Sequence, residues 1–171
     1  MSSSRREKGI KMIILQLALY CALFTLMVKI GVGNNALNGL YFYPKPVQEK
    51  VYELGLTDRE TVARKRKRFM TAFFAVMAAA LILIIRVWNG VHSFLPAYLQ
   101  ALLFLEVMNR YDAIAIDRLW VGHTKTWIIP GTEDLRPYIT AKDKKKKWIM
   151  GTVGMAILAA ALSGIMAPIL K

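Results

Sequence analysis

Four long apolar stretches, separated by polar connectors, dominate the pattern of the chain. They cover approximately residues 12–32, 69–88, 92–111 and 148–170. Each is close to the ~20 residues that an α-helix needs to cross a hydrocarbon core about 30 Å thick. The pattern therefore predicts an all-α fold, a polytopic bundle of four transmembrane helices that forms a single membrane domain over residues 1–171.

The polar connectors differ in length and in local signals. Residues 33–68 and 112–147 form two long connectors, in which we expect short helices, whereas residues 89–93 leave room only for a tight hairpin. Thr57 and Glu60 have the spacing of a capping box. They predict the start of a helix that continues into the second apolar stretch.

Composition supports membrane insertion and limits the chemistry. The chain is 56% hydrophobic and 20% charged, with a net charge of +13. Soluble domains rarely combine these values, but apolar spans joined by charged loops do. The single cysteine, Cys21, lies within the first apolar stretch, so the chain cannot form an internal disulfide.

Two basic runs, at residues 64–68 and 144–147, each directly precede an apolar stretch. By the positive-inside rule they predict that connectors 33–68 and 112–147 face the cytoplasm of a multi-pass cell-membrane protein. Basic residues at this depth also favour anionic lipid headgroups as partners. They account for the charge without nucleic acid, which we do not expect as a partner.

The densest polar cluster begins near the end of the third apolar stretch. An ionised Glu106 there needs a partner, and Arg110 lies one helical turn further on. At 100° per residue, Asp117 would return to the face of Glu106, while Asp112 would point elsewhere. This polar stripe is either a structural ion pair or part of a ligand site. The candidate ligand-binding residues are Glu106, Arg110, Asp112, Asp117, Arg118, His123 and Lys125.

Part of this region carries a resemblance. The segment from Asp112 to Tyr138, which includes His123, Trp127 and Pro130-Gly131, resembles small uncharacterised polytopic bacterial membrane proteins. The resemblance implies a membrane protein, and it brings no activity with it.

Several common activities lack their usual motifs. The chain has no GxxxxGK[ST] loop, no GxGxxG fingerprint and no GxSxG elbow. Its two histidines, His92 and His123, are expected on opposite membrane faces, which argues against a zinc site. We predict no metal site and no cofactor, with a weak magnesium site at Asp112, Asp117 and Glu133 as the alternative.

Two further patterns concern packing. Trp88, Trp127 and Trp148 lie near the ends of apolar runs, where indole rings favour the lipid–water boundary. Ala156, Ala160 and Gly164 recur every four residues in the fourth stretch. Small residues at this spacing allow close helix packing, either within the bundle or in a homo-oligomer through the fourth span.

The sequence thus predicts an integral membrane protein with an interfacial site for an anionic lipid or small amphiphile. Two alternatives stay open: a membrane-embedded lipid-modifying enzyme, with Glu106, Asp117 and His123 as candidate catalytic residues, and a subunit of a transporter, channel or larger membrane complex.

Overall fold

The computed structural model describes residues 3–138 and 140–166, with side chains for residues 6–138, 140 and 148–166. Within these ranges every regular element is helical. The α-helices are α1 Ser3–Val32, α2 Lys45–Glu53, α3 Arg59–Ile82, α4 Phe94–Tyr111 and α5 Ala141–Met166. Short 3₁₀-helices cover Ala36–Phe42, Lys125–Trp127 and Glu133–Leu135, and π-helical segments cover Leu83–Trp88 and Asp112–Val121.

Three helices are long and apolar enough to cross a membrane. They are Arg6–Val32, Arg59–Trp88 and Trp148–Met166. These correspond to the first, second and fourth predicted spans, although the predicted residues 167–170 lie outside the described part of the chain. The chain therefore has the features of a helical membrane protein.

The third predicted span has a different character. Helix α4 contains Glu106 and Arg110, and it is not among the three helices that meet the length and apolarity of a span. The helical path continues beyond Tyr111 as a π-helix to Val121. The wider turns of a π-helix change which side chains share a face.

Helix α3 begins one residue later than the capping-box spacing predicted. Asp58, rather than Thr57, is the N-cap of α3, and its carboxylate accepts a hydrogen bond of 2.7 Å from the backbone N–H of Thr61. An Asp at this position satisfies one of the free N–H groups at a helix start. Helix α3 therefore starts well before the apolar residues and projects its basic first turns beyond them.

The bundle has two unlike ends, which we call the hairpin end and the connector end. The hairpin end carries the α3–α4 turn at residues 89–93, and the connector end carries residues 33–58 and 122–140. Helix α4 packs most extensively on α5 and also contacts α1.

Three amides hold the hairpin end together. The side chain of Gln16 on α1 is fully buried and exchanges hydrogen bonds of 2.6 and 3.2 Å with the amide of Asn89. The Asn89 amide also donates to Gln100 on α4, at 3.0 Å. The buried Gln16 amide needs a protein partner because solvent does not reach it, and the partly buried amide of Asn89 supplies one.

The small residues Ala156, Ala160 and Gly164 of α5 do not form one buried face within the described bundle. Ala159, Leu162, Ser163 and Met166 form its buried face. Ala160 and Gly164 are exposed, and a Cβ on Gly164 would meet nothing within 4 Å.

Candidate functional site

A cavity of about 720 Å³ occupies the connector half of the bundle. Its walls come from α1, α3, α4, α5 and the connectors, and most of its lining is apolar or aromatic. Phe24, Phe73, Met77, Leu105 and Leu158 are typical of these walls. A volume and lining of this kind are those of a small-molecule site.

Two carboxylates line this cavity together. Asp112 and Asp117 both lie on the π-helical segment and both belong to the cavity wall. Residues five apart in an α-helix point about 140° away from each other. The i→i+5 hydrogen bonds of a π-helix bring them nearly to one face. Asp112 therefore shares the cavity with Asp117. An α-helix with 100° per residue had predicted instead that the two side chains point in different directions.

Trp127 supplies a buried donor at the same wall. Its side chain is only 3% exposed and lines the cavity, so the indole is buried within the protein. The ring packs edge-on against Trp120, with centroids 5.5 Å apart. Its indole Nε1–H has no hydrogen-bond partner within the described residues. A buried unsatisfied donor costs about 1–3 kcal/mol. The nitrogen itself has almost no accessible surface, so an acceptor in the cavity would recover this cost only after a small shift of the ring.

A second connector residue holds Trp127 in place. The Tyr43 hydroxyl donates a 2.7 Å hydrogen bond to the backbone carbonyl of Trp127. Burial, and next the neighbouring Tyr138, raise the pKa of Tyr43, while burial raises the pKa of Tyr41 to about 12. Both phenols line the cavity, and both are neutral at physiological pH. The rim therefore offers uncharged hydroxyls.

Glu106 and Arg110 lie on a different side of α4, against α5. The guanidinium of Arg110 contacts the Glu106 carboxylate at 3.3 Å and donates to the Thr152 hydroxyl at 3.2 Å. It also lies over the Trp148 ring, 4.1 Å from the centroid. This is the ion pair that the sequence predicted, and its partners are on α5 rather than in the cavity.

Two polar atoms near this pair have no hydrogen-bond partner among the described residues. One is Oε1 of Glu106 and the other is Nδ2 of Asn109. Asn109 lies between the pair and the cavity: it lines the cavity, and a Cβ on Gly151 would approach its amide to 2.9 Å. Gly151 thus makes room for the Asn109 side chain.

The remaining predicted site residues lie outside the cavity. Arg118, His123 and Lys125 are exposed. The imidazole Nδ1 of His123 lies 2.9 Å from the backbone carbonyl of Arg118, a local contact within one turn. The structure brings Asp112 and Asp117 together, and it leaves these three side chains on the surface.

The magnesium site that the sequence left as an alternative involved Asp112, Asp117 and Glu133. No three His, Cys, Asp or Glu side chains there are grouped closely enough to hold an ion. Glu133 instead accepts a 2.8 Å hydrogen bond from the backbone N–H of Gly131.

Sequence reasoning missed Trp127 as a site residue. A signal was present, because the run Trp127-Ile-Ile is apolar within an otherwise polar connector. Ile129 is fully buried, as Trp127 nearly is. An apolar triplet inside a long polar loop indicates that the loop folds back into the protein.

Comparison with protein-family models, with curated proteins and with solved structures found no match. Functional assignment therefore depends on the geometry of the chain itself.

Proposed function

We propose that this chain is a multi-pass protein of the cell membrane that binds a small amphiphile in its central cavity. The observation that carries the proposal is the buried Nε1–H of Trp127 at the wall of an apolar cavity. Apolar walls suit a hydrocarbon chain. An unsatisfied donor beside two carboxylates suits a compact polar head.

The head is one that both accepts and donates hydrogen bonds. Trp127 requires an acceptor, whereas the carboxylates of Asp112 and Asp117 accept. Hydroxyl groups of a glycerol or sugar head meet both demands. A purely anionic head is disfavoured in the cavity, because no Lys or Arg lines it within the described residues.

Four crossings fit this proposal, with α4 as the additional one. Its charged residues Glu106 and Arg110 neutralise each other at 3.3 Å, which reduces the cost of placing them near lipid. The basic runs at residues 64–68 and 144–147 lie at the connector end, so this end faces the cytoplasm under the positive-inside rule.

The deciding experiment is ligand binding with matched variants. The protein is released from mild detergent for native mass spectrometry, its bound molecules are extracted, and monooleoylglycerol is titrated back. Trp127→Phe keeps the ring but removes the donor, and Asp117→Asn removes one cavity charge. Each should weaken binding by about fivefold or more, the value of roughly one hydrogen bond.

The controls make the same chemical changes elsewhere. Glu106→Gln removes a carboxylate outside the cavity, and Trp88→Phe removes an indole N–H at the hairpin end, where the side chain is 48% exposed. Both should bind like the parent protein. Equal losses in all four variants, or no saturable binding, would refute the cavity as the site.

A second candidate function is a lipid-modifying enzyme. The observation that favours it is that Asp112 and Asp117 line one cavity, since paired carboxylates can divide acid and base roles. Among the predicted catalytic residues, Asp117 is in the cavity, whereas Glu106 and His123 are not. Time-dependent conversion of bound monooleoylglycerol, abolished by Asp112→Asn, would establish this function in place of simple binding.

Homo-oligomerisation through α5 stays a separate proposal. Ala160 and Gly164 are exposed on that helix and would permit a close approach of a second copy. The native mass spectrum that tests the ligand also reports this state.

A further inference from the structure

The first turns of α3 carry five consecutive basic residues, at 64–68, and all five are exposed. Consecutive residues of an α-helix point in directions 100° apart, so such a run surrounds the helix and does not form one basic face. Neighbouring structure, however, divides the five residues into two groups.

One group lines an open groove along a single face of α3. All of its lining residues lie on α3, so the groove is an open face of one helix, and of the five bases only Arg64, Lys67 and Arg68 line it. Lys65 is engaged elsewhere, since its amine donates a 2.9 Å hydrogen bond to the Asn38 side chain. Arg66 does not line the groove.

The groove changes character along the helix. Glu60 and Ala63 lie at its outer end, the three bases follow, and Thr71, Ala72 and Ala75 form the part that enters the apolar section of α3. All of these residues are exposed. From Arg64 to Ala75 the helix rises about 16 Å. The small side chains leave an open helix surface directly beneath the bases.

This order matches a phospholipid standing in one leaflet. Arg64, Lys67 and Arg68 have the i, i+3, i+4 spacing that places three side chains on one face, where they can surround one phosphate. Thr71 offers a hydroxyl one turn deeper, at the depth of the glycerol esters. Ala72 and Ala75 then leave room for an acyl chain.

We infer that this face of α3 binds one anionic phospholipid, with its phosphodiester among Arg64, Lys67 and Arg68 and one acyl chain along Thr71, Ala72 and Ala75. Three bases against the single acid Glu60 make the groove attractive to a net negative head. The inference needs α3 to lie in the membrane, but it does not depend on the ligand of the central cavity.

The test compares two double variants that remove equal charge. Arg64→Gln/Lys67→Gln alters the groove, and Lys65→Gln/Arg66→Gln alters the same two turns outside it. Each protein is placed in nanodiscs of phosphatidylcholine with increasing phosphatidylglycerol, and retained lipid is counted by native mass spectrometry. The groove variant should lose phosphatidylglycerol affinity about thirtyfold, because it removes two bases that each contribute about one kcal/mol to binding an anionic head. The other variant should lose less than threefold.

A third variant tests the acyl channel without changing charge. Ala72→Phe fills the groove at an exposed position, so it should fold normally while weakening long-chain phosphatidylglycerol and leaving a dihexanoyl analogue unaffected. Equal loss in both double variants would show diffuse attraction to a charged surface and overturn the inference. In nanodiscs where phosphatidylethanolamine replaces phosphatidylglycerol, retention of the two lipids in equal amounts would overturn the preference for an anionic head.

The two proposals fail separately. Monooleoylglycerol binding to the cavity should be unchanged in all three α3 variants. Unfolding in SDS verifies that they are folded, whether or not the cavity binds this lipid.

Discussion

The hairpin end and the connector end of this bundle treat side-chain nitrogen donors in opposite ways, although the buried Ser163 hydroxyl near the end of α5 also lacks a partner among the described residues. At the hairpin end, Gln16 and Asn89 satisfy each other through reciprocal amide hydrogen bonds. At the connector end, Trp127 and Asn109 keep donors without partners among the described residues, beside a cavity of about 720 Å³. The closed end supplies stability, whereas the open end retains unused hydrogen-bonding capacity. The proposed ligand site is the one at the open end.

The largest expected effect comes from adding bulk at each end. Ala97→Phe introduces a ring where the parent side chain is 2% exposed, and it should lower the free energy of unfolding by about 3 kcal/mol or more. Ala78→Phe adds the same ring at the cavity wall, where space is available. The free energy of unfolding of Ala78→Phe should change by less than about 1 kcal/mol, while its affinity for monooleoylglycerol falls. Unfolding in increasing SDS measures the stability of both variants. Equal destabilisation would contradict the tighter packing of the hairpin end.

Removing one amide from the hairpin end should have the next largest effect. Asn89→Leu leaves the fully buried Gln16 amide without its partner, at a cost of about 2 kcal/mol. The double variant Gln16→Leu/Asn89→Leu removes both amides and should recover part of this loss. The same SDS titration reports both values. If the double variant loses more stability than Gln16→Leu and Asn89→Leu lose together as single variants, the hydrogen-bonded amide pair is not the source of the stability.

A smaller effect is expected at the connector end. Tyr43→Phe removes the hydroxyl that donates to the Trp127 carbonyl, which should cost about 1 kcal/mol. Hydrogen exchange should increase in residues 125–132 and stay unchanged around Asn89. Uniform acceleration at both ends would indicate that the contact stabilises the whole bundle.

The smallest effect concerns the start of α3 and depends on pH. The hydrogen bond from the Thr61 backbone N–H lowers the pKa of Asp58 below its usual 3.8. Because the folded-state pKa is lower than the unfolded one, the stabilisation is present above pH 3.8 and disappears as the pH falls through the lowered value. The protection of amides in the first turn of α3, measured relative to their intrinsic exchange rate at each pH, should therefore fall in acid. Asp58→Ser keeps a capping oxygen but cannot titrate, so its first turn should lack this pH-dependent change in exchange.

Much of the fold was predictable because its signal is periodic and local. Apolar runs of sufficient length predicted α1, α3 and α5 as helices that can cross a membrane. The ion pair of Glu106 and Arg110 followed from their spacing alone. These features depend on neighbours within one helix, which a sequence displays directly.

The candidate site was only partly predictable, because it depends on a local change in helix type and on a folded loop. Asp117 was proposed from its position on an assumed α-helix, but the π-helical turn pairs it with Asp112 instead. Trp127 reaches the cavity only because its connector packs against Tyr43 from the other connector. Neither contact has a signature in the spacing of residues along the chain.

The contact between Tyr43 and Trp127 also fixes an order of events during synthesis. The two residues are 84 positions apart, so the first connector cannot close against the second until those residues have been translated. At about 5–20 residues per second, this leaves an interval of roughly 4–17 s. During that time α2, α3 and α4 are made, while the walls that Trp127 and α5 contribute to the cavity are still missing. A nascent chain in the membrane is therefore exposed, for seconds, to whichever lipid or insertion factor first covers its aromatic surface.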